Sequence, residues 1–250
     1  MENNYWSADD WLIFKPEFNE NLDEYYDIIN NYNKIMFSNY DDERNFADEL
    51  FRKNLDDVNY LEPKCKYYFG FKQNKFNKKI DLSKNTNLTH LILGCDFNQE
   101  IDLSNNINLT HLIFEWNFNQ KIDLSNNINL THLTFGREFN QEIFIPLNIK
   151  SLNMCCCNNQ YIINNLHNNI EELTIVQTNL NLDNLPNSIK KLYIDDYKKE
   201  LNNLPNSIEY LELSNYKLKI KKIPKNLKTV KCGKKYQYID DFKDYEVITY

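Results

Sequence analysis

Three consecutive stretches of the chain align without a gap: FNKKIDLSKNTNLTHL (Phe76–Leu91), FNQEIDLSNNINLTHL (Phe97–Leu112) and FNQKIDLSNNINLTHL (Phe118–Leu133). The last leucine of each stretch, which we call the anchor, recurs downstream in weaker copies at Leu152, Leu173, Leu192, Leu211 and Val230. Successive anchors are 21 or 19 residues apart. Self-similarity at such a period predicts a solenoid, in which each coil buries its apolar face against the next coil.

The residues that lead into each anchor change along the chain, but the phase of the repeat does not. Later coils begin with LPNSI, at 185–189 and 204–208, and Pro146 and Pro224 take the same place six residues before their anchors. Proline fixes φ just before the strand begins. We therefore expect one continuous α+β solenoid of about eight coils, each of 19–21 residues with one parallel strand.

These residues carry a family resemblance. LPNSIKKLYI at 185–194, with FNQEI at 97–101 and 139–143, resembles the FNIP-type leucine-rich repeats of social amoebae and giant DNA viruses. The resemblance covers residues 76–232 and implies a protein-binding, leucine-rich-repeat-like fold, located in the host cytoplasm if the chain is viral. Related proteins often join an F-box to such repeats. The resemblance therefore also implies an alternative role as the substrate receptor of a ubiquitin ligase, with a divergent F-box-like N-terminal region.

The predicted organisation has three parts. Residues 1–62 form an acidic helical N-terminal cap, because Ser7 and Asp10 have capping-box spacing before Trp11–Phe14. One helical face would carry Leu22, Tyr25, Ile29, Tyr32 and Met36, and a third helix would carry Phe46, Leu50 and Phe51. Residues 63–235 form the solenoid, with a degenerate coil at 64–75, and residues 236–250 form a closing strand and tail.

Composition narrows the class of protein. The chain has 42 asparagines and only 4 glycines, which suggests that Asn supplies the turns, since Asn tolerates left-handed backbone better than most residues. No apolar run approaches the ~18 residues of a membrane span, and the N-terminus lacks a secretory signal, so we expect a cytoplasmic protein. The 6 cysteines lack metal-site spacing, which predicts reduced, buried thiols.

The outward side of the strands is the surface that the sequence singles out for binding. Side chains alternate along a strand, so the residues one before and one after each anchor should point away from the core. No catalytic motif or cofactor motif is present, and we expect a non-enzymatic, monomeric protein that binds a protein partner through this strand face. The candidate partner-binding residues are His90, Ile92, His111, Ile113, His132, Thr134, Glu172, Lys191, Tyr193, Tyr210 and Glu212.

Three other patterns have alternative interpretations. The column of His90, His111 and His132 could bind a metal or couple protonation, but simple duplication of the repeat explains it as well. A second column, formed by Asp81, Asp102 and Asp123, could hold calcium, although Asp in a turn usually bonds the adjacent backbone. Finally, nine lysines between Lys217 and Lys235 have no acidic residue among them, which leaves nucleic-acid binding as a weaker alternative.

Overall fold

The computed structural model describes residues 4–8, 10–38 and 74–250. The chain divides into unit 1, Met1–Gln141, and unit 2, Glu142–Tyr250, which are described separately. Both units consist mainly of four- and five-residue strands joined by turns. The helices among the described residues are α1 (Tyr26–Ile29), α2 (Gln160–Asn164) and two 3-10 turns, Leu22–Glu24 and Ile239–Phe242.

Unit 1 contains six described strands, β1 (Tyr5–Ala8), β2 (Trp11–Phe14), β3 (Lys34–Phe37), β4 (His90–Leu93), β5 (His111–Phe114) and β6 (His132–Phe135). β1 is antiparallel to β2, and β2 through β6 pair in parallel in sequence order. The three aligned anchors lie side by side, Leu91 opposite Leu112 and Leu112 opposite Leu133. All three are buried, as the period-2 alternation of strand side chains predicts.

Unit 2 contains β7 (Ser151–Cys155), β8 (Glu172–Val176), β9 (Lys191–Asp195), β10 (Tyr210–Ser214), β11 (Thr229–Cys232) and β12 (Glu246–Thr249). These strands pair in parallel in sequence order. Every predicted anchor lies in a strand, but eight coils is an undercount, because Leu12, Ile35 and Val247 anchor three more parallel strands. The described chain is a leucine-rich-repeat-like β-solenoid with about 11 turns of ~19 residues in its two units.

The prediction of a helical N-terminal cap is not confirmed for the described part of residues 1–62, where three strands form and helical structure is confined to Leu22–Glu24 and Tyr26–Ile29. Trp11–Phe14 is a strand with four buried residues, and Met36, which the sequence pattern predicts on a helical face, lies in β3. A short apolar run fits a strand buried on both faces as well as it fits a helix, and parallel pairing with β3 decides in favour of the strand here. The predicted third helix lies outside the described residues.

An aromatic spine fills one corner of each unit. In unit 1 the rings of Phe18, Phe76, Phe97, Phe118 and Phe139 follow one another with centroid distances of 5.6, 6.0, 6.1 and 6.0 Å. The last four rings occupy the same position of the 21-residue repeat, and Phe18 extends their stack by one ring. In unit 2 the same role falls to Tyr197, Tyr216 and Tyr236, at 6.5 and 6.4 Å.

The corners of the two units differ by one residue. Phe97 and Phe118 follow their anchors by six residues, whereas Tyr197 and Tyr216 follow by five. In the shorter corners the residue four after the anchor has a positive φ, at Cys156, Gln177, Asp196 and Asn215 (55°, 49°, 50° and 53°). In the coils of Tyr197 and Tyr216, the left-handed backbone turns the chain one residue sooner, so that the aromatic ring still reaches the corner, whereas Tyr236 follows Val230 by six residues.

Asparagine acts mainly through its side chain and not as a left-handed turn residue. Among the described residues with positive φ other than glycine, only Asn215 is an asparagine. Instead, three buried asparagines six residues before the anchors, Asn85, Asn106 and Asn127, bridge neighbouring coils. Asn106 Nδ2, for example, donates to the backbone oxygens of Leu82 (3.0 Å) and Asn85 (2.8 Å) in the preceding coil. We call this set the buried asparagine ladder.

A second asparagine ladder runs along the surface of unit 1. The backbone N–H groups of Asn77, Asn98, Asn119 and Asn140 each donate to the Oδ1 of the asparagine one coil earlier, at 2.9–3.1 Å. In unit 2 the position six residues before the anchor holds proline, histidine or, before Val247, aspartate in place of asparagine. The residues that lead into each anchor therefore change along the sequence, from asparagines whose side chains bridge neighbouring coils to prolines.

Candidate interaction surface

The strand face of unit 1 consists of two side-chain columns. The column before the anchors contains Trp11, Lys34, His90, His111 and His132, and each residue lies opposite the next in the strand register. The column after the anchors contains Ile13, Met36, Ile92, Ile113 and Thr134. The structure thus brings the six predicted residues of this unit together in two adjacent rows.

The second column is buried and is not an accessible binding surface. Trp6, Trp11, Ile13, Met36, Ile92 and Ile113 form one apolar cluster. Ile92 is 2% exposed, and Ile113 and Thr134 are each 8% exposed. The prediction that Ile92 and Ile113 are exposed and available to a partner is therefore wrong. The sequence prediction missed the tryptophans of this cluster because residues 6 and 11 were assigned to a cap and not to the sheet.

The three histidines form a stack with fixed ring orientation. Ring centroids are 4.3 Å apart between His90 and His111 and 4.1 Å apart between His111 and His132, with interplanar angles of 6° and 12°. Each Nδ1 lies 2.8–2.9 Å from the hydroxyl of the preceding threonine. That hydroxyl also lies 3.0–3.3 Å from a carbonyl of the preceding coil, and when it donates its one proton there, the ring donates from Nδ1.

The environment of the stack favours neutral imidazole rings. Burial, together with the nearby charges that His90, His132 and Lys34 can carry, lowers the pKa of His111 from 6.5 to about 2. With Nδ1 bonded to threonine, the three Nε2 lone pairs run nearly parallel and do not converge on one point. The described residues contain no group of three His, Cys, Asp or Glu that could hold a metal ion.

We expect the stack to make unit 1 sensitive to acid. Since the folded-state pKa of His111 is below its unfolded value, the unfolded state takes up a proton as the pH falls below 6.5 and the folded state does not. Stability is therefore lost towards acid pH, by about 2 kcal/mol at pH 5. All three tryptophans, Trp6, Trp11 and Trp116, belong to unit 1, so urea unfolding followed by tryptophan fluorescence reports on this unit.

The comparison is between the native chain and His111→Gln at pH 7.5 and pH 5. The variant should lose about 2 kcal/mol less than the native chain over this interval, whereas Asn105→Ala, a substitution of an exposed residue in the same coil, should keep the native pH dependence. Equal acid sensitivity of His111→Gln and the native chain would contradict the assignment.

The strand face of unit 2 is accessible and has a different chemistry. None of its predicted residues is buried. The rings of Tyr193 and Tyr210 lie 5.5 Å apart at 45°, and the Tyr210 hydroxyl donates to Glu212 at 3.1 Å. Ion pairs flank them, Lys191 with Glu172 at 2.6 Å and Lys231 with Glu212 at 3.2 Å. The result is an aromatic pair framed by paired charges on four consecutive strands, β8 to β11.

Ion pairs between coils also neutralise much of the basic run at 217–235. Lys221 pairs with Glu200 (2.8 Å), Lys231 with Glu212 (3.2 Å) and Lys219 with Asp241 (3.2 Å), and Lys228 pairs with Glu209. Glu200, Glu209 and Glu212 belong to the preceding coil. The basic run therefore contains no acidic residue in the sequence, but acidic side chains lie beside it in the structure. The positive potential needed to attract nucleic acid is reduced accordingly.

The aspartate column is explained by its turns. Oδ1 of Asp81, Asp102 and Asp123 accepts the backbone N–H of the serine two residues later at 2.9 Å. Hydrogen bonds from these serines hold the pKa of all three carboxyl groups below its usual value. The column therefore has the structural role that Asp commonly has in turns.

The cysteines agree only partly with the expected reduced state. Cys95, Cys156, Cys157 and Cys232 carry thiol groups and are not disulfide-bonded. Cys155, however, is disulfide-bonded, so the prediction of reduced thiols is wrong at this position.

Within the described residues, no helix combines the length and the apolar character that a bilayer crossing requires.

Comparisons with known proteins agree with this architecture. The family model described as FNIP Repeat matches residues 177–216. The crystal structure of CroV588, described as a novel circular leucine-rich-repeat protein, is 25% identical to the chain, with a TM-score of 0.52, and the match covers 94% of this chain and 38% of that chain. No individually curated protein sequence matches the chain.

Two structures from Listeria monocytogenes are also similar. The internalin InlF of strain 4b F2365 is 21% identical with a TM-score of 0.42, and the match covers 64% of this chain and 52% of that chain. The functional domain of InlJ, described as including a cysteine ladder, is 16% identical with a TM-score of 0.40, and the match covers 61% of this chain and 33% of that chain. The chain thus spans less than two thirds of the length of each of these three proteins.

The FNIP Repeat match and the CroV588 match indicate no catalytic family, and solenoids of this type are generally non-enzymatic interaction scaffolds. The family match lies in unit 2 and includes β9 and β10, the strands that carry Tyr193 and Tyr210. The predicted resemblance is confirmed: residues 177–216 match the FNIP Repeat model, and the fold is similar to that of a circular leucine-rich-repeat protein.

Proposed function

We propose that the chain is a protein-interaction module that binds its partner through the strand face of unit 2. The observation that carries this proposal is the accessible pair of Tyr193 and Tyr210 on neighbouring strands. Tyrosine is enriched among the residues that dominate protein interfaces, because it combines a large apolar area with a polar tip and few rotatable bonds. The corresponding face of unit 1 is largely buried in its own apolar cluster.

The framing charges suit a protein partner. Glu172, Lys191, Glu212 and Lys231 are already paired across strands, so the face carries little net charge at its centre. A surface of paired charges around an apolar centre resembles the polar rim and aromatic core of protein interfaces. We propose no role as a ligase receptor, since described residues 5–37, which such a role would place in an F-box, contribute strands to the sheet of unit 1.

The proposal predicts the outcome of an affinity capture with two double variants of the intact chain. Tyr193→Ala/Tyr210→Ala should lose the partner proteins that the native chain retains from a lysate of its source cells. Each truncation at the centre of an interface weakens binding by about 2 kcal/mol or more, so the pair should lower the affinity at least about a hundredfold.

The matched control is Phe144→Ala/Leu147→Ala, which removes exposed apolar side chains from the same unit but not from a strand (80% and 68% exposed). This control should keep every partner, and both variants should unfold at the temperature of the native chain within a few degrees. Retention of all partners by the folded Tyr193→Ala/Tyr210→Ala variant would show that the site is wrong.

A further inference from the structure

Glu212 lies at the centre of a small polar network on the strand face of unit 2. Its Oε1 lies 3.2 Å from Lys231 Nζ and accepts a hydrogen bond from the Ser214 hydroxyl at 3.4 Å. Its Oε2 accepts a hydrogen bond from the Tyr210 hydroxyl at 3.1 Å. Lys231 and Ser214 therefore fix the orientation of the carboxylate through one oxygen, and the other oxygen bonds to Tyr210.

The hydrogen bond to Glu212 restricts the ring of Tyr210. The two residues are two positions apart in β10, so their side chains project from the same side of the strand. The ring is held by the strand backbone at one end and by the bonded hydroxyl at the other, which leaves it few orientations. In the observed orientation its centroid lies 5.5 Å from that of Tyr193. Glu212 thus fixes the geometry of the tyrosine pair.

The position of Glu212 does not suit direct contact with a partner. Only 12% of its side chain is exposed, compared with 48% for Lys191 on the neighbouring strand. Its negative charge is compensated by Lys231. A carboxylate of this kind offers a partner little surface, but it is a good acceptor for Tyr210, because hydrogen bonds to charged groups are stronger than those between neutral groups.

We propose that Glu212 is a positioning residue, which orders the ring of Tyr210 before the partner binds. The inference rests on the proposed function, because it concerns the same face. It changes the role of Glu212 from a contact of the partner to a support of Tyr210. A partner that had to order this side chain during binding would bind about three- to tenfold more weakly.

The test is affinity capture of partner proteins from a lysate of the source cells with graded amounts of the immobilised intact chain, which gives an apparent dissociation constant. Glu212→Ala should raise this constant about three- to tenfold, because Tyr210 loses its hydrogen bond. Glu212→Gln removes the charge but keeps an oxygen that accepts from the Tyr210 hydroxyl. It should therefore stay within about twofold of the native chain.

Tyr210→Phe isolates the hydrogen bond from other effects of Glu212. This variant keeps the ring and lacks the hydroxyl, so it should also bind more weakly than the native chain. In the Tyr210→Phe chain, the addition of Glu212→Ala should change the affinity by less than about twofold, because no hydroxyl is left to hold. In the chain without partner, NMR nuclear Overhauser effects between the rings of Tyr193 and Tyr210 should weaken in Glu212→Ala and persist in Glu212→Gln.

Glu209→Ala is the matched control, because it removes an ion pair, with Lys228, from the same coil without touching Tyr210. It should bind like the native chain, and thermal unfolding should show that all variants are folded.

Three results would overturn the inference: native affinity or unchanged ring contacts in Glu212→Ala, an equal loss of affinity in Glu212→Gln, or a further loss when Glu212→Ala is added to Tyr210→Phe. An equal loss in Glu212→Gln would mean that the partner contacts the charge itself. If Tyr193→Ala/Tyr210→Ala loses the partners in any of these cases, the proposed function stands and only the role of Glu212 is wrong. If the double variant keeps every partner, the proposed function fails, and with it the role of Glu212 in binding.

Discussion

Replacing Phe118 with alanine is expected to destabilise unit 1 by about 3–5 kcal/mol, the usual cost of truncating a fully buried phenylalanine. Phe118 is 1% exposed, and its ring centroid lies 3.8 Å from that of Phe114, 6.1 Å from that of Phe97 and 6.0 Å from that of Phe139. The coils on both sides depend on this ring, because a solenoid is stabilised by contacts between neighbours. Urea unfolding followed by tryptophan fluorescence measures the effect.

The control for Phe118→Ala is Ile128→Ala, which removes a 66% exposed side chain from the same unit. Its effect should stay within about 0.5 kcal/mol, as is usual for surface substitutions. A loss of less than about 1 kcal/mol for Phe118→Ala would mean that the aromatic spine does not hold the coils together.

The second large effect is expected for Asn106→Ala in the buried asparagine ladder. Asn106 is 0% exposed, and its Nδ2 donates to the backbone oxygens of Leu82 and Asn85 in the preceding coil. The variant loses both hydrogen bonds, each worth about 0.5–1.5 kcal/mol net, and leaves a small cavity. We expect a loss of about 2–3 kcal/mol in the same fluorescence measurement.

Asn105→Ala is the control that distinguishes the contribution of the buried asparagine ladder to stability from that of an exposed asparagine in the same coil. Asn105 is the preceding residue, is exposed, and has one long bond of 3.4 Å to Ser83 O. Its replacement should change the free energy of unfolding by less than about 0.5 kcal/mol. If Asn105→Ala and Asn106→Ala lowered the free energy of unfolding equally little, bridging between coils would not explain the large number of asparagines.

The repeat period was sufficient to predict the solenoid, but it concealed the first coils. β3 and β4 are neighbours, yet their anchors Ile35 and Leu91 are 56 residues apart in the sequence. This distance exceeds one 21-residue period by 35 residues, which is the length of segment 39–73. Phe18 follows Leu12 by six residues, as Phe97 follows Leu91, and this is the signal that could have identified the coil of β2.

The direction of side chains could be predicted, but their burial could not. His90, Ile92, His111 and Ile113 do point away from the anchors. Whether such a face is accessible depends on other parts of the chain, and here Trp6 and Trp11 belong to the same cluster as both isoleucines. No local pattern around Ile92 contains that information, because residues 6 and 11 are remote from it in the sequence.

The ion pairs between coils could be predicted from the sequence, but only after the coils had been aligned. Lys221 follows Glu200 by 21 residues, and Lys228 and Lys231 follow Glu209 and Glu212 by 19. Each of these separations is one period of the repeat, so the ion pairs could be predicted once the coils were in register. Counting charges along the basic run alone led to the weaker interpretation as a nucleic-acid site.

The central claim, that the strand face of unit 2 binds a protein, is tested most directly by hydrogen–deuterium exchange of the native chain with and without the partner isolated by affinity capture. Binding should slow exchange in Lys191–Asp195 and Tyr210–Ser214 and should leave Trp11–Phe14 and His90–Leu93 unchanged. Slower exchange confined to unit 1, with β9 and β10 unaffected, would contradict the account.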